Sequence, residues 1–312
     1  MKFYFAPLEG IAGYIYRNAY HTFFPYIDKY FTPFLSPNQN RALNPKEIRD
    51  VLPEHNRGMH VVPQILTNNA ERFIRAAREL KEKYGYEEVN LNLGCPSATV
   101  VTKGKGAGFL AKPEELNAFL EEVFEEVDSK ISIKTRIGKD APEELYKLIE
   151  VFNKYPLHEL IIHPRVQADY YNNKPNKEMF AYAVRSSKNP LCYNGDIVTK
   201  QDYERFCEEF PGIGCVMLGR GLLRTPALIG RIKENKEMDK ETLKAFHDRL
   251  YADYKESFSG DVNLLFKMKE LWFYMIHMFP DNEKYAKKIK KASRLRDYEE
   301  IIDHLFRERE II

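Results

Sequence analysis

The sequence predicts an α/β fold, a (β/α)8 TIM barrel followed by a small C-terminal helical domain. Eight short runs of apolar or β-branched residues alternate with amphipathic helical patterns, and after residue 236 only helical patterns remain. Alternating strands and helices are typical of a parallel sheet with right-handed crossovers, and eight such units favour a closed barrel. The alternative, a doubly wound open sheet, predicts a Gly-x-Gly-x-x-Gly turn after the first strand, and Ala6-Pro7-Leu8-Glu9-Gly10 is not one.

The predicted strands are short and rich in apolar and β-branched residues. They lie at Lys2–Ala6, Tyr30–Phe34, His60–Leu66, Glu88–Leu93, Ile131–Ile137, Glu159–His163, Leu191–Asn194 and Cys215–Leu218. The helical patterns between them include Ala70–Lys83, Pro113–Val127, Pro142–Phe152 and Asp202–Phe210. A proline followed by two glutamates opens the second of these helices, which is a typical helix start.

The C-terminal part of the chain has helical patterns with no strand between them. They cover Glu241–Tyr254, Leu264–Phe279 and Tyr298–Glu308. The breaks between them are Ser259-Gly260-Asp261 and Pro280-Asp281-Asn282. We therefore predict two domains, a barrel over residues 1–235 and a helical domain over residues 236–312.

Composition excludes several classes of protein. The 312 residues are 44% hydrophobic and 30% charged, which supplies both a core and a soluble surface. No apolar run reaches the roughly 20 residues of a membrane span, and the N-terminus lacks a signal-peptide pattern. The four cysteines, Cys95, Cys192, Cys207 and Cys215, show no Cys-x-x-Cys spacing, so we expect neither a disulfide scaffold nor a metal site. A reducing cytoplasm fits this cysteine usage, and a monomer is the default expectation.

Positive charge is concentrated near the C-terminus. The net charge is only +2, but residues 281–296 hold seven Lys or Arg against Asp281 and Glu283, a local charge of +5. A basic segment on a near-neutral body indicates a polyanionic partner. The alternative is an ordinary solvated helix face.

One thiol stands in a turn directly after a predicted strand. The strand Glu88–Leu93 runs into Asn92-Leu93-Gly94-Cys95-Pro96-Ser97, and the basic, glycine-rich segment Lys103–Gly108 follows. This layout is typical of a reactive group at the rim of a site, and we expect the glycine-rich segment to form a mobile cover. The alternative for Cys95 is a buried structural thiol.

Polar residues stand at the C-terminal ends of most predicted strands, the edge that carries the active site in barrels. They are Gln64, Asn90, Asn92, Lys134, Arg136, His163, Arg165, Asn194, Asp196 and Arg220. Each alone has an ordinary explanation as a satisfied interior group or a surface residue. Their coincidence on successive strands predicts a shared polar ligand.

The last two strand ends suggest the nature of that ligand. Asn194-Gly195-Asp196 and Gly219-Arg220-Gly221 follow strands seven and eight, where barrels commonly bind phosphate. A phosphate site, several amides and an inward-facing Lys134 suit FMN, whose anionic reduced ring a lysine stabilises.

These segments resemble those of the tRNA-dihydrouridine synthases, flavin enzymes that reduce specific uridines in tRNA. The matching pieces occur in the family's order: Ala6-Pro7-Leu8-Glu9-Gly10, Gln64, Asn92-x-Gly94-Cys95-Pro96-Ser97, the glycine loop from Lys103 through Gly106-Ala107, Lys134-Thr135-Arg136, His163-x-Arg165 with Tyr171, Asn194-Gly195-Asp196 and Gly219-Arg220-Gly221. The basic helical C-terminal part resembles the family's RNA-binding domain by position and character.

The resemblance implies a role for each matching residue. Cys95 is the general acid. The residues that contact the substrate are Asn92, Arg136, Arg165 and Tyr171. The residues that hold the flavin are Pro7, Leu8, Gln64, Lys134, His163, Asn194, Gly195, Asp196, Gly219 and Arg220.

The resemblance also implies FMN as the cofactor, NADPH as the electron donor and tRNA as the partner. Hydride from reduced FMN then adds to C6 of the uracil ring, and Cys95 delivers a proton to C5. Two alternatives stay open: an FMN barrel oxidoreductase that acts on a small enone or dihydropyrimidine, and a non-catalytic RNA-binding barrel.

Overall fold

The computed structural model describes residues 1–312, which form two compact units. The first unit comprises Met1–Tyr14, Asp28–Asp196 and Arg205–Leu218. The second comprises Ile15–Ile27, Ile197–Glu204 and Gly219–Ile312.

The first unit contains a parallel sheet that closes on itself. Its strands are β1 (Lys2–Phe5), β2 (Lys29–Phe31), β3 (Val61–Val62), β4 (Gln64–Ile65), β5 (Glu88–Leu93), β6 (Lys130–Gly138), β7 (Glu159–Val166), β8 (Leu191–Tyr193) and β9 (Cys215–Leu218). The strand order is β3-β2-β1-β9-β8-β7-β6-β5-β4. Only Pro63 separates β3 from β4, so the two ends of this order are one interrupted strand. The predicted barrel and its eight strands are confirmed, with the third strand split at the proline.

The interior of the barrel has an apolar and a polar side. Residues two apart on a strand share a face, so alternate side chains point inward. The apolar side is one buried cluster of Tyr4, Ala6, Phe31, Val62, Ile161, Cys192, Cys215 and Met217. Strands β4, β5 and β6 contribute Gln64, Asn90 and Ser132 instead, and all three are fully buried.

Helices link the successive strands. They are α1 (Tyr14–Phe23), α2 (Pro45–Val51), α3 (Ala70–Tyr84), α4 (Ala98–Val101), α5 (Pro113–Glu126), α6 (Glu144–Phe152), α7 (Lys177–Ser186) and α8 (Lys200–Glu209). Helix α3 begins at Asn69, whose side chain accepts the N–H of Arg72, and ends at Gly85 with a φ of 75°. The four helices predicted between strands are confirmed as α3, α5, α6 and α8.

Six more helices follow strand β9, and all six lie in the second unit. They are α9 (Arg220–Arg224), α10 (Leu228–Glu234), α11 (Lys240–Ser257), α12 (Asp261–Met275), α13 (Glu283–Lys291) and α14 (Leu295–Glu308). In the core, the hydroxyl of Tyr298 meets Trp272 Nε1 at 2.8 Å and His247 Nε2 at 2.7 Å, so three buried polar groups satisfy one another. The helical patterns predicted after residue 236 are confirmed as α11, α12 and α14. None of the helices has the length and apolar character needed to cross a bilayer.

Residues from the start of the chain join this second unit. Tyr16, Tyr20 and Phe24 pack their rings against Phe246 of α11, with centroid distances of 5.8, 6.3 and 5.2 Å. The hydroxyl of Tyr20 donates to the carbonyl oxygen of Pro226 at 2.7 Å. The assignment of residues 236–312 as a domain with its own function stays a prediction.

Candidate active site

The register of the sheet brings most predicted site residues to one edge of the barrel. Asn92 on β5 stands opposite Lys134 on β6, and Arg136 stands opposite His163 on β7. Gln64 stands opposite Asn90, one inward position before Asn92. These are the C-terminal parts of parallel strands, so the side chains gather where barrels carry their active sites.

The turn that carries Cys95 is fixed by Asn92. The side-chain oxygen of Asn92 accepts hydrogen bonds from the backbone N–H groups of Gly94 at 3.0 Å and Cys95 at 2.9 Å. An asparagine that bonds the backbone two and three residues further on builds a tight local turn. The direction of the thiol-bearing turn therefore depends on how the Asn92 amide is oriented.

The surroundings of Cys95 keep its thiol protonated. Burial raises the pKa of the Cys95 thiol. The backbone N–H of Ser97 and the charges of Arg136 and Lys134 act in the opposite direction with a smaller effect. At neutral pH the sulfur therefore carries a proton and is able to act as an acid.

The glycine-rich segment after Cys95 differs from the predicted mobile cover. Gly106–Ala111 forms a 3-10 helix in which Gly106–Leu110 are buried. The N–H of Ala107 donates to the carbonyl oxygen of Cys95 at 3.1 Å. Gly106 has a φ of 55°, and a Cβ there would lie 2.8 Å from the same oxygen. The glycines allow two backbone segments to approach each other closely. The prediction of a mobile cover was based on composition and did not include this contact.

Lys134 has no hydrogen-bond or ion-pair partner within the protein. Burial, and to a smaller extent the charge of Arg136, lowers the pKa of Lys134 to about 8. Lys134 is partly buried, and a partly desolvated ammonium without an acceptor is unfavourable, so this position suits an anionic or electron-rich ligand.

Arg136 ties three backbone segments together. Its Nε donates to the carbonyl oxygen of Gly94 at 3.0 Å, Nη1 to that of Val166 at 2.8 Å, and Nη2 to that of Tyr170 at 2.9 Å. The guanidinium also lies 5.6 Å from the ring centroid of Tyr171. Three of its five N–H groups are thus used, and two have no hydrogen bond within the protein.

His163, Arg165 and Asp196 form a chain of contacts that runs from two buried side chains to an exposed carboxylate. Arg165 Nη1 lies 2.8 Å from His163 Nε2, and both Nη atoms of Arg165 meet the carboxylate of Asp196. Arginine only donates, so Nε2 of His163 is the acceptor and Nδ1 carries the proton. Arg165 Nε donates to the carbonyl oxygen of Asn173 at 2.6 Å, and the side chain is 1% exposed. These contacts favour a structural use of Arg165, and its predicted contact with substrate stays a prediction.

Two tyrosines form the exposed part of this edge. Tyr170 and Tyr171 are 41% and 46% exposed. Tyr170 has a φ of 47°, a strained conformation for this residue type, and its carbonyl oxygen accepts Arg136. The Tyr171 ring lies 5.8 Å from that of His163. The backbone is therefore held so that the Tyr171 ring stays next to Arg136 and His163.

The remaining predicted cofactor residues occupy loop starts. The carbonyl oxygen of Leu8, next to Pro7, accepts the N–H groups of Ile11 and Ala12 at 3.0 and 2.8 Å. Asn194 donates from its amide to the carbonyl oxygen of Met217 at 2.8 Å.

Glycine is required after Asn194, and a further glycine begins the next helix. A Cβ at Gly195 would overlap the ring of Tyr193. Gly219 is the N-cap residue that precedes helix α9, and it belongs with Arg220 to the second unit.

Sequence reasoning missed the polar residues below the site. Ser132 and Glu88 are buried in the barrel at 0% and 5% exposure. They share the inward face of Lys134 and Asn90, two residues away along β6 and β5. The alternation of inward and outward side chains along each strand was therefore the sequence signal that could have identified Ser132 and Glu88.

A parallel barrel that gathers a protonated thiol and two cations at its C-terminal edge has the plan of a barrel enzyme. Residues 5–310 match the family model described as dihydrouridine synthase. The chain belongs to the dihydrouridine synthase family.

Named relatives agree with this family. The chain is 30% identical over 236 residues to a tRNA-dihydrouridine(16) synthase of Pseudomonas putida, a match that covers 73% of the chain and 72% of the relative. It is 26% identical over 246 residues to the enzyme of that name from Vibrio parahaemolyticus, which covers 77% and 73%. A probable tRNA-dihydrouridine synthase 1 of Synechocystis is 26% identical over 230 residues, which covers 73% and 63%.

Solved structures share the fold at low identity. The old yellow enzyme from Trypanosoma cruzi superposes with a TM-score of 0.57 at 9% identity, over 80% of this chain and 92% of that one. Morphinone reductase in complex with tetrahydroNAD gives 0.52 at 13%, over 77% and 89%. At these identities the likeness shows the TIM-barrel fold alone.

Proposed function

We propose that this protein reduces a uridine of tRNA to 5,6-dihydrouridine and that position 16 is its target. The observation that carries the proposal is the register pair of Asn92 and Lys134, which sets the turn of a protonated thiol beside a partnerless ammonium. The family supports the reaction, and the names of the relatives from Pseudomonas putida and Vibrio parahaemolyticus support the position.

Membership of the family implies a flavin, and we propose FMN. The residues fit this cofactor because the ammonium of Lys134 has no acceptor in the protein, and an electron-rich ring edge supplies one. Gln64, Lys134 and the Nδ1–H of His163 are the groups proposed to hold the ring. The other proposed flavin contacts are Pro7, Leu8, Asn194, Gly195, Asp196, Gly219 and Arg220. When bound and reduced, the flavin supplies the hydride that uracil C6 receives.

Cys95 supplies the proton in this scheme. Hydride addition at C6 leaves negative charge on the C5–C4–O4 part of the uracil ring, and C5 must then gain a proton. The raised pKa of the Cys95 thiol keeps that proton on sulfur until it is needed. The two unused N–H groups of Arg136 stabilise the charge on O4 while it develops.

The uridine must leave the stacked tRNA to reach these groups, which costs a few kcal/mol. Contacts to the phosphate backbone offset that cost, and we assign them to the basic segment 281–296. Its side chains of Lys284, Lys287, Lys288, Lys290, Lys291, Arg294 and Arg296 are exposed. Helix α13 buries only Tyr285 and Ile289, so its lysines are available to a polyanion.

The test uses purified protein loaded with FMN, NADPH as the proposed donor, and tRNA that lacks dihydrouridine. We expect dihydrouridine at position 16, and Cys95→Ala should slow its formation by about 10²- to 10⁴-fold while the flavin spectrum is retained. Normal turnover by Cys95→Ala contradicts the role of the thiol. If 2-cyclohexenone reoxidises the reduced protein as fast as tRNA does, the small-enone alternative is correct instead.

A further inference from the structure

A continuous line of hydrogen bonds runs through the barrel below the thiol turn. It passes through five buried side chains, in the order Asn92, Gln64, Asn90, Ser132 and Glu88. The four links measure 2.6, 2.7, 2.9 and 2.8 Å in that order. Beyond Glu88, the ammonium of Lys29 lies 2.8 Å from the second carboxylate oxygen, so a buried ion pair ends the line.

Every link of this line has the same direction. A carboxylate accepts hydrogen bonds, so the hydroxyl of Ser132 donates to Glu88 and is left to accept from the amide nitrogen of Asn90. The oxygen of Asn90 then accepts from Gln64. Amide side chains look alike in either orientation, and only their partners fix which end points where.

The common direction of these hydrogen bonds extends to the turn that carries Cys95. The oxygen of Gln64 accepts the amide nitrogen of Asn92, which turns the oxygen of Asn92 toward the backbone N–H groups of Gly94 and Cys95. If the Asn92 amide were reversed, an NH2 group would face two N–H groups and both bonds of the turn would be lost. A buried donor without an acceptor destabilises that arrangement.

We infer that Ser132 and Asn90 are positioning residues for the Cys95 turn. The carboxylate of Glu88 fixes the direction of their hydrogen bonds, and these bonds in turn fix the amide orientations of Gln64 and Asn92. This inference rests on the proposed function, in which Cys95 is the proton donor. Neither Ser132 nor Asn90 contacts the thiol. They act through the orientation of two amides, and bulk water cannot replace a broken link because all five side chains are at most 7% exposed.

The test compares two variants of strand β6 that each lose one buried hydroxyl. Ser132→Ala breaks the line, and Thr135→Val removes a hydroxyl that bonds only the carbonyl oxygen of Arg136, at 2.8 Å. Two reactions of the FMN-loaded protein are measured separately: reduction by NADPH, and reoxidation by tRNA. The alkylation rate of Cys95 by iodoacetamide is followed by peptide mass spectrometry, with the partly exposed Cys207 as internal reference.

We expect Ser132→Ala to slow reoxidation by tRNA about ten- to a hundredfold and to change the alkylation rate of Cys95 several-fold, because small misplacement of a reacting group has effects of this size. Reduction by NADPH and alkylation of Cys207 should stay within twofold of wild type. Ser132→Thr keeps the hydroxyl and should restore most of the lost rate. Thr135→Val should leave all four measurements unchanged.

Two results overturn the inference: wild-type reoxidation and Cys95 alkylation in Ser132→Ala, or equal losses in Ser132→Ala and Thr135→Val. If Ser132→Ala is not recovered as folded protein, Ser132→Cys fills the site with a slightly larger group that forms weaker hydrogen bonds, and it should show the same changes at smaller size. A wild-type protein that tRNA does not reoxidise refutes the proposed function instead, and the alkylation of Cys95 still tests the line.

Discussion

The Nε of Arg136 donates a hydrogen bond of 3.0 Å to the carbonyl oxygen of Gly94, which joins strand β6 to the turn before Cys95. Its other two nitrogens bond the carbonyl oxygens of Val166 and Tyr170. One planar cation thereby fixes the thiol turn relative to the segment that carries Tyr171. Two of its five N–H groups make no hydrogen bond to these carbonyl oxygens.

Replacing Arg136 by lysine should separate charge from geometry. An ammonium keeps the positive charge, but it cannot bond three carbonyl oxygens in the plane of a fork. We expect Arg136→Lys to slow tRNA-dependent reoxidation by about 10²-fold with the flavin still bound. Stopped-flow absorbance of the flavin measures this rate, and Arg185→Lys, at an exposed position of α7, is the matched control. A wild-type rate in Arg136→Lys would show that charge alone is sufficient.

Gly106→Ala should displace the thiol turn without changing its chemistry. The φ of 55° disfavours any side chain, and the new Cβ would lie 2.8 Å from the Cys95 carbonyl oxygen. We expect a loss of about 1–3 kcal/mol in the free energy of unfolding and a slower reaction with tRNA. Gly212→Ala, where a Cβ meets nothing within 4 Å, is the control. Equal melting temperatures and rates for the two variants would refute the close approach.

Much of the first unit could be predicted from the sequence because a barrel repeats one simple pattern. Each strand is short, apolar and followed by a helix, so the eight strands were located to within a few residues. The same period placed Gln64, Asn92, Lys134 and His163 on inward positions at one edge. The positions of these residues follow from local sequence and from the rule that active sites lie at C-terminal strand ends.

Contacts between distant segments could not be predicted in this way. The segment Lys103–Gly108 suggested mobility, yet its glycines permit tight packing on Cys95. The contacts of Arg165 with His163 and Asp196 were likewise not foreseen, and its contact with substrate stays a prediction. The sequence indicates which interactions a residue is able to make, and the fold determines which partner it contacts.

Lys134 should make the flavin-free protein less stable at neutral pH than at alkaline pH. Its pKa falls from 10.5 to about 8 on folding, so folding disfavours the charged form. The full penalty applies below pH 8 and disappears as the pH rises from about 8 to 10.5. Lys134→Met removes the charge and should raise the melting temperature of flavin-free protein at pH 7 by about 2–4 °C.

The same substitution should weaken FMN binding, because the ring edge loses its cation. Fluorescence titration with FMN checks affinity, and Lys188→Met, an exposed lysine, controls for the loss of one charge. A variant that binds FMN as tightly as wild type would remove Lys134 from the cofactor site.

The lysines of α13 should set the salt dependence of tRNA binding. Each phosphate contact that is lost reduces the slope of log affinity against log salt by about 0.7–0.9, because fewer counterions are released. Replacing Lys287, Lys288 and Lys291 by alanine should therefore weaken tRNA binding at low salt and flatten the slope by about 2 to 3. Filter binding between about 50 and 200 mM salt measures both quantities. The control replaces Lys46, Lys147 and Lys188, three exposed lysines of the first unit, and so makes the same change in net charge. Equal slopes for the two triple variants would mean that α13 adds only to the overall field of the protein and makes no contact of its own.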